Sequence, residues 1–525
     1  MIITGIPEHA AYVLRRLTGS GHKAYLVGGC VRDAYMGRQP HDWDVATSAR
    51  TDEVARLFTK TVMTGAKFGG VTVVLGGGAF DDAAPDGAAA DGAVPDGAAT
   101  DGDAVAWSAS DGAVPAEAAT DGDAVAGAPP PAGAFGRSIV EVTTFRADGA
   151  YSDNRRPDSV EFVSDIEADL SRRDFTINAM AADSDGSVID PFGGMGDIDA
   201  RVIRCVGDPL ERFSEDALRM LRVFRFSAEL GFSIGQDTLD AVHKVAANAK
   251  HVSAERIRVE LEKIIMSQRP VVAGDVIEAG LLDRYLPGKR QQRAPQHGEQ
   301  AGVLRGAQQR EPLHGEQAGT LRGAQQRSPQ HGEQQHAEQQ RAEQQHAEQR
   351  HAEQQHAEQQ RAEQARAQRL SKCLEKLTAL PSESALRWCA FCAILLDLEL
   401  IDSAADFLRM LRLDTRTVTC CSKALTITDI PSDKSAIKRL FAKHGVEAVR
   451  CAAASIGGAD ALTEVEVIIQ SGECFTINDL ALKGDDLIRM GYTQSREIGS
   501  ILNKLLDHVI EHSDDNDPEA LIKLL

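Results

Sequence analysis

No apolar run in this 525-residue chain is long enough to cross a bilayer. The nearest, residues 389–401, is interrupted by Asp397 and Glu399. Missing as well from the opening Met-Ile-Ile-Thr-Gly-Ile-Pro is a basic region followed by an apolar core, the mark of a secretory signal. Both absences predict a cytoplasmic protein with no membrane partner. The nine cysteines do not form a disulfide framework; they are scattered among apolar neighbours, which suits a reducing compartment. Cys389-x-x-Cys392 has zinc or redox spacing but no second ligand pair, so a buried thiol pair is expected there. Positive charge is scarce, and the net formal charge is −21. Much of that deficit is local. Residues 79–136 hold ten Asp, one Glu and no Lys or Arg, which leaves −10 for the rest. A nucleic-acid surface needs basic groups in one place rather than a basic protein, so the deficit excludes little.

The remaining composition, 42% apolar and 26% charged, is that of a soluble globular protein, and the length calls for two to four domains. Two segments are of low complexity. In the first, 79–136, the stretch 91–106 recurs as 111–126, a 20-residue period poor in core-forming residues. It interrupts residues 71–75 and 139–145, which read as the two strands of a hairpin. Insertion at a hairpin tip costs little, because loop-closure entropy grows slowly with length. The second, 289–369, carries a 17-residue repeat and then a five-residue Ala-Glu-Gln-Gln-His/Arg repeat holding seven of the 15 histidines when taken together. A period of five keeps no apolar stripe on a helix, so partial helix without a packed core is expected. Polar repeat expansion explains these histidines better than a metal site. Residues 1–199 outside the first insertion mix strands and helices. Helical spacing dominates from about 200, at 213–230, 238–249, 253–266 and 270–279, and again over 370–525. Residues 478–487 read as a capped helix start.

The chemistry sits in a few short motifs. Leu26-Val-Gly-Gly-Cys-Val-Arg-Asp33 is an apolar run, a turn at Gly28-Gly29 and a helix start carrying Arg32. Those glycines allow close approach of an anion to the backbone. Asp42-Trp-Asp44 follows at strand spacing, which aims both carboxylates at one point with Trp43 facing away. Taken alone, such a pair is also the pattern of a solvated strand end. Together with the glycine turn it suits Mg²⁺ held with substrate phosphates. Glu141, between apolar Val140 and Val142, is a candidate third carboxylate. Arg172-Arg-Asp-Phe-Thr-Ile-Asn178 reads as a helix start that places two cations and an acceptor together, a grip for phosphate and ribose. In Ser214-Glu-Asp-Ala-Leu-Arg-Met-Leu-Arg-Val-Phe-Arg225, the residues Asp216, Arg219, Arg222 and Arg225 recur every third position, one slowly rotating stripe if all are helical. A carboxylate accepts and a guanidinium donates. Cytosine and adenine both present an amino donor beside a ring-nitrogen acceptor, whereas guanine and uracil present the reverse. An Asp216–Arg219 pair would therefore accept C and A without a template.

This order of motifs resembles the polymerase-β-like nucleotidyltransferases. More narrowly it resembles the class II tRNA nucleotidyltransferase (CCA-adding) and bacterial poly(A) polymerase family, with its Gly-Gly-x-Val-Arg-Asp, Asp-x-Asp, Glu-Val-Thr-Thr-Phe, Arg-Arg-Asp and Glu-Asp-x-x-Arg patterns. The resemblance is specific over residues 1–287 outside the first insertion and loose over 370–525. It implies an α+β fold: a mixed-sheet head over 1–199, then an all-α neck over 200–268, a body over 269–425 and a tRNA-binding tail over 426–525. It assigns Asp42, Asp44 and Glu141 to catalysis, with Asp42 and Asp44 holding the metal. Nucleotide binding falls to Gly28, Gly29, Arg32, Arg173, Asp174, Asn178, Asp216 and Arg219, with Arg222 and Arg225 turned to phosphates or the primer end. Residues 146–157, with Gly149 as a hinge, resemble the family's flexible loop, and Asp190 in Asp-Pro-Phe-Gly-Gly its head–neck hinge. The implied activity is addition of C, C and A to the 3′ end of tRNA from CTP and ATP, with Mg²⁺. A poly(A) polymerase, a partial CC- or A-adding enzyme and an idle RNA-binding scaffold remain as alternatives.

Overall fold

The structure is a computed structural model that describes residues 2–64, 68–76, 138–149, 159–287, 350–351, 354–355, 357–358, 360–362, 364–493 and 495–525. The first low-complexity segment, most of the second and residues 150–158 of the expected flexible loop lie outside the described residues. The chain forms two compact units. One comprises Met1–Ala150, Pro157–Ala200 and Arg204–Gly207, and the other Tyr151–Arg156, Arg201–Ile203 and Asp208–Leu525.

The first unit is built on a mixed seven-stranded sheet. In chain order its strands are β1 (Ala24–Val27), β2 (Asp44–Thr47), β3 (Thr61–Val62), β4 (Gly70–Leu75), β5 (Ser138–Thr144), then β8 (Ala181–Ala182) and β9 (Val188–Ile189). A separate ribbon pairs β6 (Arg146–Asp148) with β7 (Val160–Phe162). The spatial order is β3-β4-β5-β2-β1-β8-β9. All neighbours are antiparallel except β2 and β5, which run parallel with Asp44 opposite Glu141. The expected hairpin is present: β4 and β5 pair from Gly70↔Thr143 to Leu75↔Ser138, although 62 residues separate the facing ends. Helix α1 (Glu8–Gly19) buries Ala10, Val13, Leu14 and Leu17, an i, i+3, i+4, i+7 stripe. Val27, Ala46, Phe145, Ile166, Leu170, Ala179, Ala181 and Val206 make a continuous core beside the sheet. Short helices α2 (Gly29–Tyr35), α3 (Thr51–Leu57), α4 (Ile166–Ser171) and α5 (Gly194–Asp199) complete this unit.

The second unit is helical apart from a two-residue pairing of β10 (Val202–Ile203) with β11 (Ser233–Ile234). Its helices begin with α6 (Pro209–Glu215), α7 (Leu218–Leu230), α8 (Gln236–Val245), α9 (Ala254–Met266) and α10 (Val272–Glu278). The expected single helix over 213–230 is broken at Asp216, whose φ of −140° and ψ of 105° are extended. The cause is local. The Asp216 carboxylate accepts a hydrogen bond from the Leu218 N–H at 3.0 Å and so starts a new helix. The described residues between 350 and 369 are helical and mostly exposed, in line with a repeat that carries no apolar stripe. Further on, the helix Ser384–Asp397 buries Trp388, Cys389, Phe391 and Cys392, so the Cys-x-x-Cys pair is a core pair. Buried Arg387 on this helix donates to four carbonyls: Ile265 (2.8 Å), Ser267 (2.7 Å), Leu380 (2.8 Å) and Pro381 (3.1 Å). The capped start read at 478–487 resolves into a 3-10 turn, Ile477–Asp479, and a helix Gly484–Arg489 whose backbone cap comes from Asp486. Among the described residues no helix is long and apolar enough to cross a membrane.

Candidate functional site

Gly28 alone turns the chain between β1 and α2, at φ 79° and ψ −133°. Side chains other than hydrogen are strained there. A Cβ at this position would also meet Arg173 Nη1 at 3.0 Å, so glycine admits both the turn and the guanidinium. The Gly28 N–H is engaged by the Met180 carbonyl at 3.2 Å, which corrects the expectation that it is offered to an anion. Arg32, one turn into α2, is buried; its Nη1 donates to Asn178 Oδ1 at 2.7 Å and its Nε to Asp33 Oδ1 at 2.9 Å. Asn178 Nδ2 donates in turn to Asp174 Oδ1 at 3.3 Å, which also takes the Phe175 N–H at 2.9 Å. Arg32 and the neighbouring pair Asp174 and Asn178, about 140 residues on, thus form one hydrogen-bonded chain beside the glycine turn.

The carboxylates meet across the parallel strands. Strand β2 begins at Asp44, so Asp42 stands just before it rather than on it, which adjusts the strand reading. The alternation still holds: Trp43 is buried, Asp42 is exposed and Asp44 is half-buried. Glu141 is exposed on β5 directly opposite Asp44. Burial first, then the nearby charges of Glu141 and Asp42, push the Asp44 carboxyl up to about 6, with Arg173 opposing them. A carboxyl so crowded by negative charge is relieved by a cation. Among the described residues no group of three or more His, Cys, Asp or Glu is arranged to hold a metal ion. A pair of carboxylates completed by substrate phosphate oxygens, the usual habit of Mg²⁺, needs no such protein cage.

One residue of this unit escapes sequence reasoning. Asp169 on α4 is fully buried and takes Arg172 Nη2 at 2.7 Å, Arg172 Nε at 3.0 Å and Arg173 Nη2 at 3.2 Å. It also accepts the Arg146 N–H at 3.3 Å. Burial alone would raise its pKa, but Arg172 and Arg173 more than offset that and hold it below the ordinary range. The signal was an Asp at i−3 and i−4 from Arg172 and Arg173, one helical turn away. Arg146 Nε lies 2.9 Å from Asp148, which is nearly buried. The described ends of the expected flexible loop are the paired strands β6 and β7. Gly149 closes them, its N–H bonded to Ser159 O at 2.8 Å and no room for a Cβ beside Ser159 Oγ. Asp190 accepts the N–H groups of Gly194 (2.7 Å) and Met195 (2.9 Å), capping α5.

In the second unit, Asp216 and Arg219 are one turn apart but each holds another partner. Asp216 Oδ2 accepts from Arg256 Nη2 of α9 at 2.7 Å. Arg219 bonds Glu215 and the Arg212 carbonyl, the latter at 3.2 Å. Since Asp216 lies outside the helix, the expected four-residue helical stripe is reduced to Arg219, Arg222 and Arg225 on α7. Arg222 rests over the Phe226 ring at 5.4 Å. Arg225 is buried, 2.8 Å from Glu260 and 4.2 Å above the Phe226 ring. The expectation that Arg225 faces a phosphate is therefore corrected: Glu260 on α9 draws it inward.

Family models cover much of the chain. Residues 24–84 and 132–204 match the poly A polymerase head domain. Residues 231–291 match the probable RNA- and SrmB-binding site of polymerase A, and residues 381–525 a putative tRNA nucleotidyltransferase domain 2. Among curated proteins, the CCA-adding enzyme of Geobacillus thermodenitrificans is 38% identical over 281 residues, 54% of this chain and 55% of the relative. That of Geobacillus kaustophilus is 39% identical over the same length and shares. The chain thus spans about half the length of the curated relatives it matches. Among solved structures, the Bacillus stearothermophilus CCA-adding enzyme in complex with CTP superposes with a TM-score of 0.60 at 25% identity, covering 96% of this chain and 93% of that one.

Proposed function

Because the chain belongs to the family of class II tRNA nucleotidyltransferases and bacterial poly(A) polymerases, we propose that it adds C, C and A, without a template, to the 3′ end of tRNA from CTP and ATP. The observation that carries this reading is Asp44 facing Glu141 across parallel strands, with Asp42 and Arg173 close enough to move its pKa. Asp42 and Asp44 would hold Mg²⁺, which supplies charge neutralisation to a triphosphate and acidifies a 3′-hydroxyl. Glu141 adds negative charge beside that pair. Arg173, leaning on the Gly28 turn, meets the triphosphate, while the Arg32–Asn178–Asp174 chain keeps the turn and the ribose contact in place. Asp216 and Arg219 select the base. Each Asp216 oxygen keeps a lone pair for the exocyclic amine of C or A, and Arg219 presents its guanidinium to the ring nitrogen in exchange for a present partner. Guanine and uracil would leave both unmatched, at about 1–3 kcal/mol each. In this reading residues 1–199 act as the catalytic head, 200–268 select the nucleotide, and 269–425 and 426–525 hold tRNA by shape and phosphate contacts.

The test is a nucleotide panel on tRNA lacking its terminus. Two C and one A, then arrest, is the expected product; long runs of A alone would replace this reading with a poly(A) polymerase. Asp44→Asn is expected to lower the transfer rate by about 10³-fold or more, a loss of several kcal/mol of charge stabilisation, with tRNA affinity unchanged. Transfer that survives this change would remove Asp44 from the site.

A further inference from the structure

Three helices of the second unit, Ser384–Asp397, Thr415–Ala424 and Val446–Ile456, bring cysteines into one line of sulfurs. Cys420 Sγ lies 3.6 Å from Cys451 Sγ, at van der Waals contact. Cys451 and Cys421 both reach Cys389, and the Ser455 hydroxyl donates to Cys389 Sγ at 3.4 Å. All nine cysteines are free thiols, and the site described above uses none of them. Four neighbouring thiols invite a metal reading, but among the described residues no group is arranged to bind one. The chemistry that remains is between sulfurs.

We propose that Cys420 and Cys451 are a reversible oxidation site, forming a disulfide when the protein meets a peroxide. The two sulfurs need to close by about 1.5 Å to reach bonding distance. Their exposures divide the roles. Cys420 is half-buried and reachable, whereas Cys451 is fully buried and waits behind it. Peroxide oxygen transfers to the Cys420 sulfur, giving a sulfenic acid and one water (or alcohol, from an organic peroxide). The Cys451 sulfur then displaces hydroxide from that sulfenic acid; with the Cys451 proton it leaves as water, and the S–S bond forms. Two equivalents of a small-molecule thiol return both cysteines by exchange, through a mixed disulfide, and leave joined as their own disulfide. The hydrogen bond to Cys451, burial and Glu447 all raise the Cys420 pKa above the ordinary thiol range, against a smaller lowering by Arg416. The first step is accordingly slow at neutral pH and quickens as pH rises.

The experiment treats the full-length protein with hydrogen peroxide under non-denaturing conditions and reads intact mass and a non-reducing peptide map. Loss of two hydrogens, a Cys420–Cys451 cross-linked peptide and reversal by dithiothreitol are expected. Cys451→Ser should stop at a sulfenic acid on Cys420 that dimedone traps, and Cys420→Ser should form neither product. No oxidation at Cys420 in the folded protein, a cross-link through another cysteine, or an undiminished cross-link in Cys420→Ser would each overturn the proposal. Circular dichroism of both variants establishes that they fold.

Discussion

Asp169 shows how much a single buried carboxylate can organise. Asp169→Asn removes the charge that holds Arg172 and Arg173 while keeping the side chain's volume. We expect a loss of about 1–3 kcal/mol in stability, read by urea unfolding. The pH dependence has a definite sign. The folded carboxyl titrates below the ordinary value, so its contribution is complete above a pH of about 4 and disappears as pH falls through the folded value. The stability gap between wild type and Asp169→Asn should therefore narrow below pH 4; a gap that widens there would refute the assignment. Gly28 makes the opposite demand, for no side chain at all. Gly28→Ala forces a Cβ against Arg173 at a positive φ, and transfer should fall by about tenfold or more with the protein still folded, as judged by circular dichroism.

Between α6 and α7 the decisive feature is a break of two residues. The spacing of Asp216, Arg219, Arg222 and Arg225 is visible in the sequence and reads as one helix. What it does not show is that the Asp216 side chain caps its own successor. Nor does it show that Arg256, 40 residues on, claims the other oxygen. Pairing choices of this kind depend on how α9 packs, which periodicity does not report. The same holds for Arg225, turned to Glu260. By contrast, the glycine turn and the β4–β5 hairpin are legible, because the positive φ that only glycine tolerates and the alternation of apolar residues are local signals. Asp169 is missed because an Asp within a short helix looks like ordinary surface until its burial is known. Arg256→Met frees Asp216 from its ion pair. Discrimination against UTP and GTP should weaken by about 5–150-fold, the 1–3 kcal/mol of a mispositioned acceptor, in single-nucleotide incorporation assays. Unchanged discrimination would show that the Arg256 contact does not orient Asp216.

Over the chain as a whole, two sequence repeats interrupt a structure that closes on either side of them. Deleting 82–134 should leave transfer within a few-fold of wild type, since β4 and β5 pair up to Leu75↔Ser138 without it. A folded but inactive deletion would count against this. Across the second repeat, Arg387 ties its own helix to the carbonyls of Ile265 and Ser267. Arg387→Leu leaves the buried Ile265 and Leu380 carbonyls unpaired, removes a partner from those of Ser267 and Pro381, and should cost about 3 kcal/mol or more in chemical unfolding. The β4–β5 ladder has a further consequence, for heredity. Where tandem repeats in a protein are matched by tandem repeats in its gene, copying of the DNA gains and loses whole units. The facing of Asp44 and Glu141 is set by hydrogen-bond register on the strands, not by counting residues between them. Length changes in the first tract therefore pass through the gene without moving Asp44 away from Glu141, and descendants can differ in tract length while inheriting the same facing of the two carboxylates.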